Sequence, residues 1–166
     1  IDQAEKVVIM GHINPDMDAF GSALGITRLI RNTNKETYIV INNVTESLSE
    51  IYRQAKETEL YTFINSEKAQ NIVDKETLLI VLDTHRPSYT DCPALINMTD
   101  KIVVIDHHRK DEESVENPTL SYMESYASST AELVTEILQY SDEKKSITRF
   151  EAEALLAGIT VDTNNF

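Results

Sequence analysis

The sequence predicts an α/β domain, a mainly parallel β-sheet with helices on both faces. Three observations predict it. Short apolar runs, Val7 to Met10, Tyr38 to Ile41, Leu78 to Leu82 and Ile102 to Ile105, are rich in β-formers and do not alternate in polarity. Strands buried on both faces read that way. Helical stretches separate these runs, which implies βαβ units with right-handed crossovers. The 166 residues, 41% hydrophobic and 26% charged, suit one globular domain with a substantial core.

The elements follow in order. Val7 to Met10 is the first strand. Asp18 to about Arg31 is a helix, because Ala19, Phe20, Ala23, Leu24, Ile26 and Ile30 share one broad apolar face. Tyr38 to Ile41 is a second strand, broken by Asn42 and Asn43. Ser47 with Glu50 has capping-box spacing for a short helix. Leu60 to Ile64 reads as a short strand and Glu67 to Ile72 as a helix. Leu78 to Leu82 and Ile102 to Ile105 are the next strands. Ser129 with Glu132 caps a helix reaching about Tyr140, and Asp142 to Ser146 is a charged link. Thr148 with Glu151 caps a last helix through Leu156, leading into a strand at Ile159 to Val161. No second-domain boundary is visible within residues 1–166.

The net charge of −13 makes duplex nucleic acid and anionic membrane surfaces poor electrostatic partners. An anionic substrate would need local positive charge, which bound metal supplies. Cys92 is the one cysteine, so no internal disulfide forms and a reducing, cytoplasmic compartment is expected. No apolar run approaches membrane-spanning length. The start at Ile1 and the stop at Phe166 suggest a piece of a longer protein, in which a membrane anchor could lie elsewhere.

Chemistry concentrates at the expected strand ends, where open α/β sheets bind ligands. After the first strand come Gly11, His12, Asn14, Pro15, Asp16 and Asp18. Gly11 permits a turn close to a ligand. One carboxylate suffices to cap a helix, so three candidate ligands exceed what structure requires. Asp83-Thr84-His85-Arg86 follows the third long run, Asp106-His107-His108-Arg109 the fourth, and Asp162-Thr163 the last. Singly, each Asp is an ordinary turn residue. Together they converge on one sheet edge, where crowded carboxylates need cations. Oxygen and imidazole donors without thiolate suit Mn²⁺. More than four ligands suggest two ions, which in two-metal hydrolases sit ~3.5–4 Å apart and clamp a phosphoryl group.

These residues resemble a known family. Gly11-His12-x-Asn14-Pro15-Asp16-x-Asp18, Leu82-Asp83-Thr84, Asp106-His107-His108 and Val161-Asp162-Thr163 are similar, in order, to the four motifs of the DHH phosphoesterases, over about residues 6–166. Leu82 to Ser88, Asp106 to Arg109 and Tyr126 to Glu132 look like the bacterial cyclic-di-AMP phosphodiesterases of the GdpP type. The resemblance implies that His12 and Asp16 hold one Mn²⁺, that Asp18, His107 and Asp162 hold the other, and that Asp83 bridges both. It implies that Asp106 orients a ligand histidine and that His108 faces the scissile phosphate. Water activated by the two ions would open cyclic di-AMP to linear pApA. His85, Arg86, Arg109, Ser128 and Ser129 are candidate substrate contacts. Ser129 with Glu132 is also a sound cap, and a helix N-terminus is an anion site.

Relatives carry a C-terminal glycine- and histidine-containing domain that closes over the substrate, and many have Lys where this chain has Asn164. The other expected partners are a cyclic or short nucleotide and, compatibly, a second copy in a homodimer. The competing functions are a nano-RNase or pAp phosphatase, a family-II inorganic pyrophosphatase, and a nucleotide-sensing module without turnover.

Overall fold

The computed structural model of the chain describes residues 4–31, 33–141 and 147–164. Its centre is one six-stranded sheet: β1 (Lys6–Met10), β2 (Glu36–Val40), β3 (Phe63–Ile64), β4 (Leu78–Leu82), β5 (Lys101–Asp106) and β6 (Leu120–Met123). The strand order is β3-β2-β1-β4-β5-β6, and every neighbouring pair is parallel. The helices are α1 (Met17–Ile30), α2 (Ser49–Glu57), α3 (Ser66–Ile72), α4 (Thr130–Tyr140) and α5 (Arg149–Asp162).

The period of two along each strand explains the uninterrupted apolar runs. Val7 and Ile9 of β1, with Leu78, Ile80 and Leu82 of β4, pack into a core shared with α1, α2, α4 and α5. Val8, Met10, Leu79 and Val81 face the other way, towards Ala69 of α3 and the Cys92 and Leu95 region. The chain runs outward from β1 to β3, then returns to lay β4 on the other side of β1. That reversal is where open sheets bind ligands. It brings the loop after β1 beside the ends of β4 and β5.

The sequence-based fold class stands, and several elements differ in detail. Ile159 to Val161 is not a strand. It forms the last turns of α5, which runs unbroken to Asp162. β-branched residues lose only tenths of a kcal/mol each in a helix, and burying Ala154, Leu155 and Gly158 outweighs that. Gly21 of α1 lies so close to α5 that an added Cβ would stand 2.5 Å from the Ala154 carbonyl oxygen. The expected strand at Leu60 to Ile64 shrinks to two residues. β6 has no counterpart in the sequence reading, because two of its four residues are exposed and its pattern is weak.

Caps divide similarly. Thr148 and Glu151 form the full capping box. Ser47 does not cap α2: a 3₁₀ turn at Glu46–Leu48 precedes that helix, and its N-cap position falls on Leu48. Ser129 caps α4 through the Glu132 amide, 3.1 Å, but the Glu132 carboxylate turns to Ser128. The charged link at 142–146 lies outside the described residues.

Candidate metal centre

The loop after β1 shapes the first half of the site. His12 Nδ1 lies 2.9 Å from the Ile13 carbonyl oxygen. A bond from Nδ1 to that carbonyl turns Nε2 towards the site, which is how ligating histidines are held. Nε2 is 3.6 Å from Asp16 Oδ2 and 3.5 Å from Asp83 Oδ2. The ring lies over Tyr89, centroids 5.6 Å apart and planes 13° from parallel. Asp16 divides its carboxylate. Oδ1 accepts the Asp18 and Ala19 amides, both at 3.0 Å, as the N-cap of α1, while Oδ2 turns to the site. Gly11 contributes space rather than an unusual backbone angle: a Cβ there would meet Ala19 Cβ at 3.1 Å.

Asp83 sits between two ligand groups. Its backbone is left-handed, φ 59°, a conformation that Asp tolerates better than most residues but that still costs about 1 kcal/mol. The turn aims Oδ2 at His12 and Oδ1 at His107 Nε2, 3.5 Å away. Thr130 Oγ1 donates to that same Oδ1 at 2.9 Å. Asp18 is fully buried, and its two oxygens accept the Thr130 and Ala131 amides at 2.7 Å each. A carboxylate inside the protein is therefore held on the N-terminus of α4, where orphan amides and the helix dipole favour it.

His107 Nε2 completes the second group. It lies 3.8 Å from Asp18 Oδ2, 3.5 Å from Asp83 Oδ1 and 3.2 Å from Asp162 Oδ2. It is buried and has no hydrogen-bond partner among the described residues. Asp162 arrives from the C-terminal end of α5, not from a strand end. Three overlapping sets of donor atoms are thus gathered among the described residues, His12/Asp16/Asp83, Asp18/His107/Asp162 and Asp83/His107/His108, each within 4.8 Å. The protonation energetics match a site built for cations. Burial and then the Asp83 charge push Asp18 up to about 8, and the same causes raise Asp162. Burial works against charge on His12, yet Asp16 and Asp83 outweigh it and raise the imidazole to about 11. An orphaned imidazole nitrogen among crowded carboxylates fits a divalent ion.

Asp106 holds two imidazoles. Its Oδ1 accepts from His108 Nδ1 at 2.7 Å and from the His108 amide at 3.1 Å, and its Oδ2 lies 2.6 Å from His85 Nδ1. No bond to His107 is present among the described residues; Asp106 orients His85 and His108, the latter a member of one candidate donor set. Burial opposes its ionisation, but these bonds win and hold it at about 2. In return Asp106 raises His108.

His85 is almost fully buried, and its Nε2 accepts the Asp111 amide at 3.4 Å. It anchors the loop after β5 rather than offering a free nitrogen. Arg86, paired with Asp111, and Arg109 line the cleft of ≈ 480 Å³ that opens over His12, Asp83, His108 and Asp162. Ser128 and Ser129 are not among its lining residues. The α4 amides that could have held a phosphate are spent on Asp18, and Ser128 Oγ is spent on Glu132.

Sequence reasoning missed Thr130, Tyr89 and Asp111. For Thr130 the signal was its place just inside the cap. For the other two, no local signal distinguished them from loop residues.

Fold and site together define a doubly wound α/β domain with paired carboxylate-imidazole centres at its topological switch point. The chain belongs to the DHH family as its N-terminal domain, which matches residues 6–159. It is 46% identical over its whole length to the cyclic-di-AMP phosphodiesterase GdpP of Bacillus subtilis, of which it spans 26%. It is 40% identical, again over its whole length, to the cyclic-di-AMP phosphodiesterase PdeA of Listeria monocytogenes, also spanning 26%. The fold matches an exopolyphosphatase-related protein of Bacteroides fragilis with a TM-score of 0.82 at 23% identity, covering 99% of this chain and 48% of that one. No described helix is long and apolar enough to cross a membrane.

Proposed function

We propose that this domain, residues 1–166, is the metal-binding part of a phosphodiesterase that opens cyclic di-AMP to linear pApA. The observation that carries the reading is Asp83, one oxygen towards each ligand group. His12 and Asp16 would hold one Mn²⁺, Asp18, His107 and Asp162 the other, and Asp83 both. Bound there, the ions supply charge neutralisation at the phosphoryl group and a lowered pKa for water.

The chain's own residues do the rest. Asp106 fixes His108 by two bonds and favours its charged form. With Nδ1 committed, His108 Nε2–H is left to donate to a phosphoryl oxygen as charge develops there. Arg86 and Arg109 place positive charge on the cleft wall against a chain of net charge −13. The likeness to GdpP and PdeA supports the cyclic dinucleotide, and their greater length supports a further domain in the same protein.

The test has two arms. Metal analysis should find manganese retained in His108→Ala and lost in Asp83→Ala, with turnover lost in both. The manganese-loaded protein, offered cyclic di-AMP, pAp and pyrophosphate separately, should prefer the first. Preference for pAp or pyrophosphate, or manganese lost as fully from His108→Ala as from Asp83→Ala, would overturn these assignments.

A further inference from the structure

The cleft over the metal ligands is polar and charged along most of its wall. Among the described residues, Tyr89 is the one Phe, Tyr or Trp whose side chain lines it. Half of its surface is exposed, although a Tyr ring usually buries its apolar face. The backbone that carries the ring is tied down. Pro87–Tyr89 is a 3₁₀ turn, and the Tyr89 carbonyl accepts the Ile13 amide at 2.8 Å. The next residue, Thr90, bridges His12. One side of the ring rests on His12, planes 13° apart. Tyr126 and Tyr140 are more exposed, at 96% and 81%, but neither lines this cleft.

We propose that Tyr89 is the platform on which a nucleobase of the substrate stacks, and so selects nucleotides over phosphoesters without a base. The proposal rests on the phosphodiesterase reading for the position of the phosphate beside His12 and Asp83. A phosphate there puts the attached nucleoside against the cleft wall, and Tyr89 is the wall's aromatic surface next to His12. Stacking needs a rigid ring with one face supported and another open to the ligand. It is tolerant of base identity, because every base has a π-face. Arg86 and Arg109 on the same wall meet the phosphate charge.

The experiment uses the manganese-loaded protein with AMP and ribose 5-phosphate, the same phosphate with and without a base, titrated calorimetrically. The parent should bind AMP more tightly. Tyr89→Ala should weaken AMP by roughly five- to a hundredfold, the range for loss of one stacked base. Ribose 5-phosphate affinity and manganese content should stay as they were. Tyr89→Phe should keep the preference. The chain has no tryptophan, so Tyr89→Trp adds a lone reporter whose fluorescence AMP should quench and ribose 5-phosphate should not. If Tyr89→Ala weakens both ligands equally, or loses manganese, Tyr89 only supports His12 and the proposal falls. An unchanged AMP affinity overturns it as well. Failure of both ligands to bind the parent would instead overturn the underlying metal-phosphate reading.

Discussion

Thr130→Val tests how much the second layer of the site matters. Thr130 is fully buried, and its hydroxyl donates to Asp83 Oδ1 at 2.9 Å. Its amide separately holds Asp18. Valine keeps the shape and the β-branch at the start of α4, keeps the amide, and removes only the hydroxyl. A hydrogen bond to a charged group contributes about 1.5–3 kcal/mol. Asp83 is nearly fully buried, so water cannot replace the lost donor. At about 2–4 °C per kcal/mol for a domain of this size, the metal-free variant should melt roughly 3–12 °C below the parent. Loss of a group that orients a metal-ligating carboxylate also lowers metal affinity by about 10–100-fold. Thermal unfolding in EDTA and competitive manganese titration read the two effects. Thr130→Ser, which keeps the hydroxyl, should recover most of both. A valine variant with parental Tm and parental manganese affinity would refute the idea that this bond holds Asp83 in place.

Three further outcomes follow from the packing and charge of the fold. Asp106 ionises more readily folded than unfolded, so its stabilisation is complete above its ordinary value near 4 and is lost as pH falls towards 2. Urea unfolding across that window should show Asp106→Asn missing about 2 kcal/mol of the parent's acid-side slope. Glu151 is fully buried, 2.6 Å from Arg31, 3.7 Å from Arg28 and 3.1 Å from the Tyr61 hydroxyl. Glu151→Gln removes a buried charge paired with both arginines and should cost about 3 kcal/mol in chemical denaturation, with manganese content unchanged. Gly21→Ala must push α1 from α5, because the new methyl would meet the Ala154 carbonyl. Calorimetry should show a loss of about 1–3 kcal/mol, with weaker manganese binding because Asp162 rides on α5.

The sequence alone determined the central strands β1, β2, β4 and β5, the helix-forming faces and the identity of the clustered Asp and His residues. Strands buried on both faces must be apolar throughout, so β1, β4 and β5 were readable from composition over a few residues. The carboxylates and histidines were readable because they exceed what turns and caps consume. Tertiary structure decided the rest. Whether Ile159 to Val161 extends or coils depends on the close approach of α5 to α1, not on β-propensity worth tenths of a kcal/mol. Which oxygen of Asp16 caps and which faces the site is an angle no residue type encodes. Asp106 could serve any nearby imidazole; the path of β5 and the loop from β4 give it His85 and His108 instead of His107. Thr130 reaches Asp83 across 47 positions of sequence, and its amide reaches Asp18 across 112. Contacts of that separation are set by how layers pack, and local sequence carries only the capacity to make them.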